Sequence, residues 1–161
     1  MKLFKTDRGI IIENKDQYFL LEGEDWDSYV NDDNLYLKLE NTTKDLAPVA
    51  EAREMLQTGI KAPIQGQEIW ACGVTYLRSK VGRQEESKNT GGSDFYARVY
   101  EADRPEIFFK GTAHRTVGPG EKVSIRKDSS WDVPEPELTL MITTSGKIVG
   151  YTIGNDMSSR S

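Results

Sequence analysis

The run Glu135-Pro136-Glu137-Leu138-Thr139-Leu140-Met141-Ile142 alternates polar or flexible residues with apolar ones, and that period admits little except a strand with two unlike faces. Glu135, Glu137, Thr139 and Met141 point one way, and Pro136, Leu138, Leu140 and Ile142 the other. A turn at Thr144-Ser145-Gly146-Lys147 follows, and Ile148 to Gly154 reads as the return strand of a hairpin. With a two-residue loop at Ser145-Gly146, Ile142 faces Val149, Glu137 faces Gly154 and Glu135 faces Asp156. Directly opposed Cβ atoms lie ~5 Å apart, and neighbours two along a strand ~7 Å apart. Three carboxylates that close repel one another unless a cation lies between them. A hard divalent ion such as Mg²⁺, Mn²⁺ or Ca²⁺ suits an all-oxygen site. Glu-x-Glu on a strand also describes a plain solvated face, so the register decides. A loop of three or four residues slides the pairing by one and turns Asp156 to the other side.

Composition narrows the field of partners. A net charge of −5 over 161 residues, with no evident basic face, argues against nucleic acid or an anionic membrane. Hydrophobic content of 37% and charged content of 29% describe a chain able to bury an ordinary core. The start Met1-Lys2-Leu3-Phe4-Lys5 has no signal-peptide pattern, and no run approaches the ~18 apolar residues of a membrane span. The lone Cys72 excludes an internal disulfide and fits a reducing cytoplasm. It reads as a small hydrophobe on a strand, since His114, the one histidine, falls in a polar loop.

Along the chain, residues 1–66 read as a small N-terminal domain. Strands are expected at Gly9–Glu13 and Gln17–Leu21, a third at Leu35–Leu39 after an acidic loop of solvated surface, and a helix at Ala50–Gln57. Residues 67–161 change character. A strand from Ile69 to Val74 leads into a charged helix from Leu77 to about Ser87. The loop Asn89–Ser93 precedes a second helix, Asp94 to Ala102, with Ser93 as its cap, and has the flexible composition of a lid. Ile107-Phe108-Phe109-Lys110 is a short strand ending on a cation, and Val123–Ile125 another strand before the hairpin. Asp156 lies five residues from Ser161, so the chain is expected to be part of a larger folding unit, with Asp156–Ser161 as a loose tail the plainer alternative.

Several motifs, in order and spacing, resemble the fumarylacetoacetate hydrolase family. They are Gly73-Val74-Thr75-Tyr76, Arg104-Pro105-Glu106-Ile107-Phe108-Phe109-Lys110, Val117-Gly118-Pro119-Gly120-Glu121, Pro134-Glu135-Pro136-Glu137-Leu138 and Gly150-Tyr151-Thr152-Ile153-Gly154-Asn155-Asp156-Met157-Ser158-Ser159-Arg160. Within the family the chain is most similar to the 2-keto-3-deoxy-sugar-acid dehydratase branch. The resemblance implies an α+β, mainly β fold: a small N-terminal domain followed by part of a rolled or barrel-like catalytic sheet. It also implies a divalent metal, Mg²⁺ foremost, on Glu135, Glu137 and Asp156, a 2-oxo-acid substrate and a homodimer. Hydrolytic members carry a His shortly after the Tyr of the first motif. Here Leu77-Arg78-Ser79-Lys80 stands in that place, which favours dehydration over hydrolysis. Family domains continue past the last motif, so this 161-residue form is expected to bind metal weakly and to lack full activity.

The chemistry suits such a site. A metal on three carboxylates keeps positions open for the keto and carboxylate oxygens of a 2-oxo acid, acidifying the C3 hydrogens so that a C4 hydroxyl departs as water. Tyr76, Arg78, Arg83 and Lys110 are candidates to bind the substrate's carboxylate and hydroxyls, with Lys110 the foremost and Glu106 a candidate base. The plain alternatives are a snorkelling Lys110, a surface Glu106 and a solvated face for Arg78 and Arg83. Two other functions stay open: hydrolysis or decarboxylation of an acylpyruvate or oxaloacetate, and a non-catalytic metal-binding or oligomerising fragment.

Overall fold

The computed structural model describes residues 1–73, 76–87 and 93–160. The order of elements opens with an antiparallel meander of β1 (Lys2–Thr6), β2 (Gly9–Asn14) and β3 (Gln17–Leu21). Lys15 and Asp16, at φ 50° and 61°, form the tight turn between β2 and β3, the left-handed pair that matches strand twist. Helices α1 (Trp26–Val30), α2 (Leu35–Asp45) and α3 (Ala52–Thr58) follow. Ile10 and Ile12 of β2 meet Phe19, Trp26, Tyr29, Val30, Leu35 and Leu39 in one buried cluster. Each such aliphatic side chain contributes roughly 1.5–3 kcal/mol by leaving water.

Leu35–Leu39 is helical, not the third strand its alternating leucines predict. Only Leu35 and Leu39, one helical turn apart, are buried, while Tyr36 and Leu37 are exposed. The acidic residues before it start the helix: Asp32 accepts from Asn34 N–H at 2.8 Å and, through its carbonyl, from Leu35 N–H at 3.0 Å. Local turn chemistry and burial of one stripe thus override a short period-two pattern.

The acidic loop is also more than solvated surface. Asp25 caps α1 by accepting from Ser28 N–H at 3.0 Å, and its other oxygen accepts from Gln65 at 2.7 Å. Asp27 accepts from Gly66 N–H at 2.8 Å, and Lys5 donates to the Ile64 carbonyl at 2.7 Å. These bonds tie the extended segment 60–66 back onto the meander.

The chain then forms β4 (Glu68–Cys72), α4 (Leu77–Ser87), α5 (Ser93–Glu101) and β5 (Ile107–Thr112), with a 3₁₀ turn at Ala113–Arg115. Strands β4 and β5 pair antiparallel, and Lys80 links the two helices by an ion pair to Glu101 at 2.8 Å and a position 4.8 Å above the Tyr100 ring. The expected lid, Asn89–Ser93, lies outside the described residues except for Ser93, which begins α5. Val123–Ile125 forms no strand; Val123 and Ile125 are exposed and no ladder pairs them. The last elements are β6 (Asp132–Val133), β7 (Pro136–Ile142), β8 (Ile148–Asn155) and β9 (Ser158–Ser159), paired β7 with β8 and β6 with β9. Two compact units result, residues 1–66 with 116–161, and residues 67–115. No helix among the described residues is long and apolar enough to cross a membrane.

The β7–β8 hairpin is held at its tip by the N-terminal unit's own loop. Thr143 and Ser145 hydroxyls donate to Asp33 at 2.6 and 2.7 Å, and Thr144 N–H donates to the Asn31 side chain at 2.9 Å. These hydroxyls hold the Asp33 carboxyl below the ordinary aspartate range, Thr143 first and then Ser145. A carboxylate with a depressed folded pKa stabilises above its unfolded value, and that contribution fades as pH falls through the folded value. Asp33→Ala is therefore expected to lower the urea midpoint near neutrality, with the wild-type and variant midpoints converging as pH falls below about 5. A gap that stays constant with pH would assign the loss to something other than the carboxylate.

Candidate metal centre

The hairpin loop has three residues, not two. Thr143 N–H donates to the Lys147 carbonyl and Gly146 N–H to the Thr143 carbonyl, each at 2.9 Å, with Gly146 in the left-handed region at φ 87°. Such a loop alone would slide the register. The pairing shifts back between Met141 and Ile142: Ile142 faces Ile148, Met141 faces Gly150, and Val149 is the extra residue of a bulge. Val149 and Met141 pack on the N-terminal cluster, so the bulge is fixed by burial. From Met141 onward the ladder has the register of a two-residue loop, with Glu137 opposite Gly154 and Pro136 opposite Asn155. Asp156 N–H donates to the Glu135 carbonyl at 2.8 Å, extending the pairing by one residue.

All three carboxylates accordingly start from one face. Glu135, Glu137 and Asp156 are half-buried, whereas Leu138, Leu140, Tyr151 and Ile153 on the other face are exposed. Gly154 leaves the space opposite Glu137 open, and a methyl built on it would run into the Thr139 hydroxyl. The Glu135 side chain meets a cation and a hydroxyl. Arg160 Nη2 lies 2.8 Å from Glu135 Oε1, and Ser158 donates to Glu135 Oε2 at 2.8 Å. Sequence reasoning placed Ser158 and Arg160 within the last matched motif but gave them no role, although in an extended run they fall two and four residues past Asp156, on its face. Among the described residues, no group of three or more His, Cys, Asp or Glu side chains is arranged to hold a metal ion. The backbone thus gathers an all-oxygen set whose chemistry fits a hard cation, while Glu135 is turned to a guanidinium.

The remaining candidates lie in the unit of residues 67–115. Lys110 is half-buried and is the extra residue of a bulge on β5, since Gly111 pairs with Ile69 and Phe109 with Trp70. A bulge re-aims one side chain out of the strand's alternation, as is common beside active sites. Glu106 is exposed, its carbonyl accepting from Gly73 N–H at 2.9 Å and its carboxylate lying against Gly73, where a Cβ would stand 2.6 Å from Oε2. That approach explains the glycine. Tyr76 is exposed and its carbonyl accepts from Lys80 N–H at 3.1 Å, at the start of α4, and Arg78 is exposed on α4. Arg83 is on α4 with its side chain outside those described.

No protein-family model matches the chain. It is 57% identical over 99 residues to a probable 2-keto-3-deoxyxylonate dehydratase of Haloferax volcanii, 62% of this chain and 33% of that one. It is 45% identical over 102 residues to the 2-dehydro-3-deoxy-D-arabinonate dehydratase of Saccharolobus solfataricus, 63% of this chain and 34% of that one. A solved 2-keto-3-deoxy-D-arabinonate dehydratase, complexed with magnesium and 2,5-dioxopentanoate, superposes with a TM-score of 0.69 at 31% identity, over 98% of this chain and 56% of that one. The chain is a homologue of the sugar-acid dehydratases. The motifs' resemblance to that branch is borne out. The chain spans about a third of the length of these curated relatives and just over half that of the solved structure.

Gly154 gives a direct test of the face. Its φ is not left-handed, so alanine there suits the backbone and would by itself stabilise by about 0.4–1 kcal/mol through the unfolded chain. Contact with the Thr139 hydroxyl is expected to reverse that sign, costing about 1–3 kcal/mol in urea unfolding. Thr139→Ala in the same chain should recover most of it; a Gly154→Ala variant as stable as wild type would show the face to be open.

Proposed function

We propose that the protein is a divalent-metal-dependent lyase that dehydrates a 2-keto-3-deoxy sugar acid, with Glu135, Glu137 and Asp156 holding Mg²⁺. What carries the reading is the bulge-corrected register that sets Glu135 opposite Asp156, in a homologue of dehydratases of which one is complexed with magnesium and 2,5-dioxopentanoate. When bound, the ion supplies Lewis acidity toward the carboxylate and C2 carbonyl of a 2-oxo acid, acidifying the C3 hydrogens. Residues 67–161 are read as the N-terminal portion of a catalytic domain built on a rolled sheet. Lys110, raised out of alternation by its bulge, pairs with the substrate carboxylate. Glu106 takes the proton from C3, and Tyr76, Arg78 and Arg83 bind hydroxyls. The C3–H electrons form the C3–C4 double bond as the C4 hydroxyl leaves as water with the proton that Glu106 took from C3. Loss of a proton from C5 with protonation at C3, and ketonisation of the resulting C4–C5 enol, then gives the C5 aldehyde of the 2,5-dioxo acid.

The exposed apolar side of the hairpin, with Leu138, Leu140, Ile142, Ile148, Tyr151 and Ile153, favours contact with further polypeptide, and the working form is read as a cytoplasmic homodimer.

Full-length protein incubated with a 2-keto-3-deoxy pentonate is expected to release a 2,5-dioxo acid, and EDTA to abolish release until Mg²⁺ is restored. Glu137→Gln and Asp156→Asn should each lower kcat/KM by more than about 100-fold, beyond the 10–100-fold typical of a ligand's outer partners. A chelator-insensitive rate would overturn the reading, and release of pyruvate from an acylpyruvate or oxaloacetate would replace it with hydrolysis or decarboxylation.

A further inference from the structure

The run after Asp156 supplies two partners of the Glu135 carboxylate, and one of them is a buried cation. Arg160 is only 9% exposed in its side chain, with Glu135 at 21%. Its guanidinium lies 2.8 Å from Glu135 Oε1 and 5.8 Å from the centroid of the Trp131 ring, and its backbone N–H donates to the Trp131 carbonyl at 2.8 Å. Ser158 fills the other carboxylate oxygen, and Ser158 and Ser159 are fixed by pairing with Val133 and Asp132. This is a built ion pair, held from three sides, on the face that carries Glu137 and Asp156.

We propose that Arg160 is an internal counter-ion of the carboxylate face, offsetting part of its charge in the metal-free protein and competing with a divalent cation for Glu135. The proposal rests on the metal reading above and adds the regulation of that site. With Arg160 the face carries three formal negative charges and one positive. Removing Arg160 takes one positive charge from beside the three carboxylates, which weakens the metal-free state and raises attraction for a divalent ion. A cation entering beside Glu135 either displaces the guanidinium or shares the carboxylate with it, so the ion pair lowers metal affinity in both cases. In exchange, the hairpin and the run from Asp156 stay folded before metal arrives. Arg160 is thus a positioning residue that sets the affinity of the site through charge.

Mn²⁺ titration of the full-length protein, read by electron paramagnetic resonance, separates charge from shape. Arg160→Gln is expected to bind Mn²⁺ at least about tenfold more tightly than wild type, and Arg160→Lys to stay within about threefold of it. In EDTA, Arg160→Gln should lower the urea midpoint, and most of that loss should vanish when Glu135→Gln is combined with it. Equal or weaker Mn²⁺ binding by Arg160→Gln would overturn the proposal and leave Arg160 a strut for Glu135. Absence of Mn²⁺ binding by the wild type would instead overturn the metal reading on which it rests.

Discussion

Carboxylates gathered on one face of a two-stranded ribbon have to be neutralised, and the C-terminal part of this chain is organised around that requirement. The ribbon alone cannot meet it, since an isolated hairpin is marginal in water and three negative charges weaken it further. Two devices compensate. Asn31 and Asp33 hold the loop end, and Arg160 and Ser158 hold the carboxylate end. Between them, Met141 and Val149 bury the middle of the ribbon against the N-terminal core. A small amount of apolar contact and a set of charge-assisted hydrogen bonds therefore fix strands that otherwise show an exposed apolar face.

The bulge at Val149 connects these demands. A three-residue loop with a left-handed Gly146 places Thr143 and Ser145 where Asp33 accepts from both hydroxyls. The same loop would shift Asp156 out of register with Glu135. One extra residue on β8 restores the alignment, and burial of its side chain stabilises the distortion. The loop serves the clasp, the bulge serves the carboxylates, and neither geometry is sacrificed.

Alternation in Glu135–Ile142 was enough to read the strand pair and its faces, whereas the opposition of Glu135 and Asp156 was tied to a two-residue loop that the hairpin does not have. The loop length was not legible, because two compensating irregularities leave the same register over the carboxylates. Leu35–Leu39 misled for a different reason: five residues fit both a strand and one and a half turns of helix. Only the capping chemistry of Asp32 and the burial of Leu35 with Leu39 separate them. Asp25 and Asp27 read as surface because their partners, Gln65 and Gly66, are some forty residues away. Arg160 was given no role within its motif, since an arginine carries no local sign that a glutamate 25 positions earlier pairs with it.

A buried ion pair is poor evidence of stability for its own sake, because the desolvation of both charges offsets much of their attraction. An apolar pair at 135 and 160 would serve a purely structural hairpin as well or better. Retention of charge is understandable where one partner has a second task, and Glu135 has a place beside Glu137 and Asp156 on a face suited to a hard cation. A carboxylate that must be available to a metal cannot be replaced by a hydrophobe, and its counter-ion is then the least costly way to keep it folded when the metal is absent.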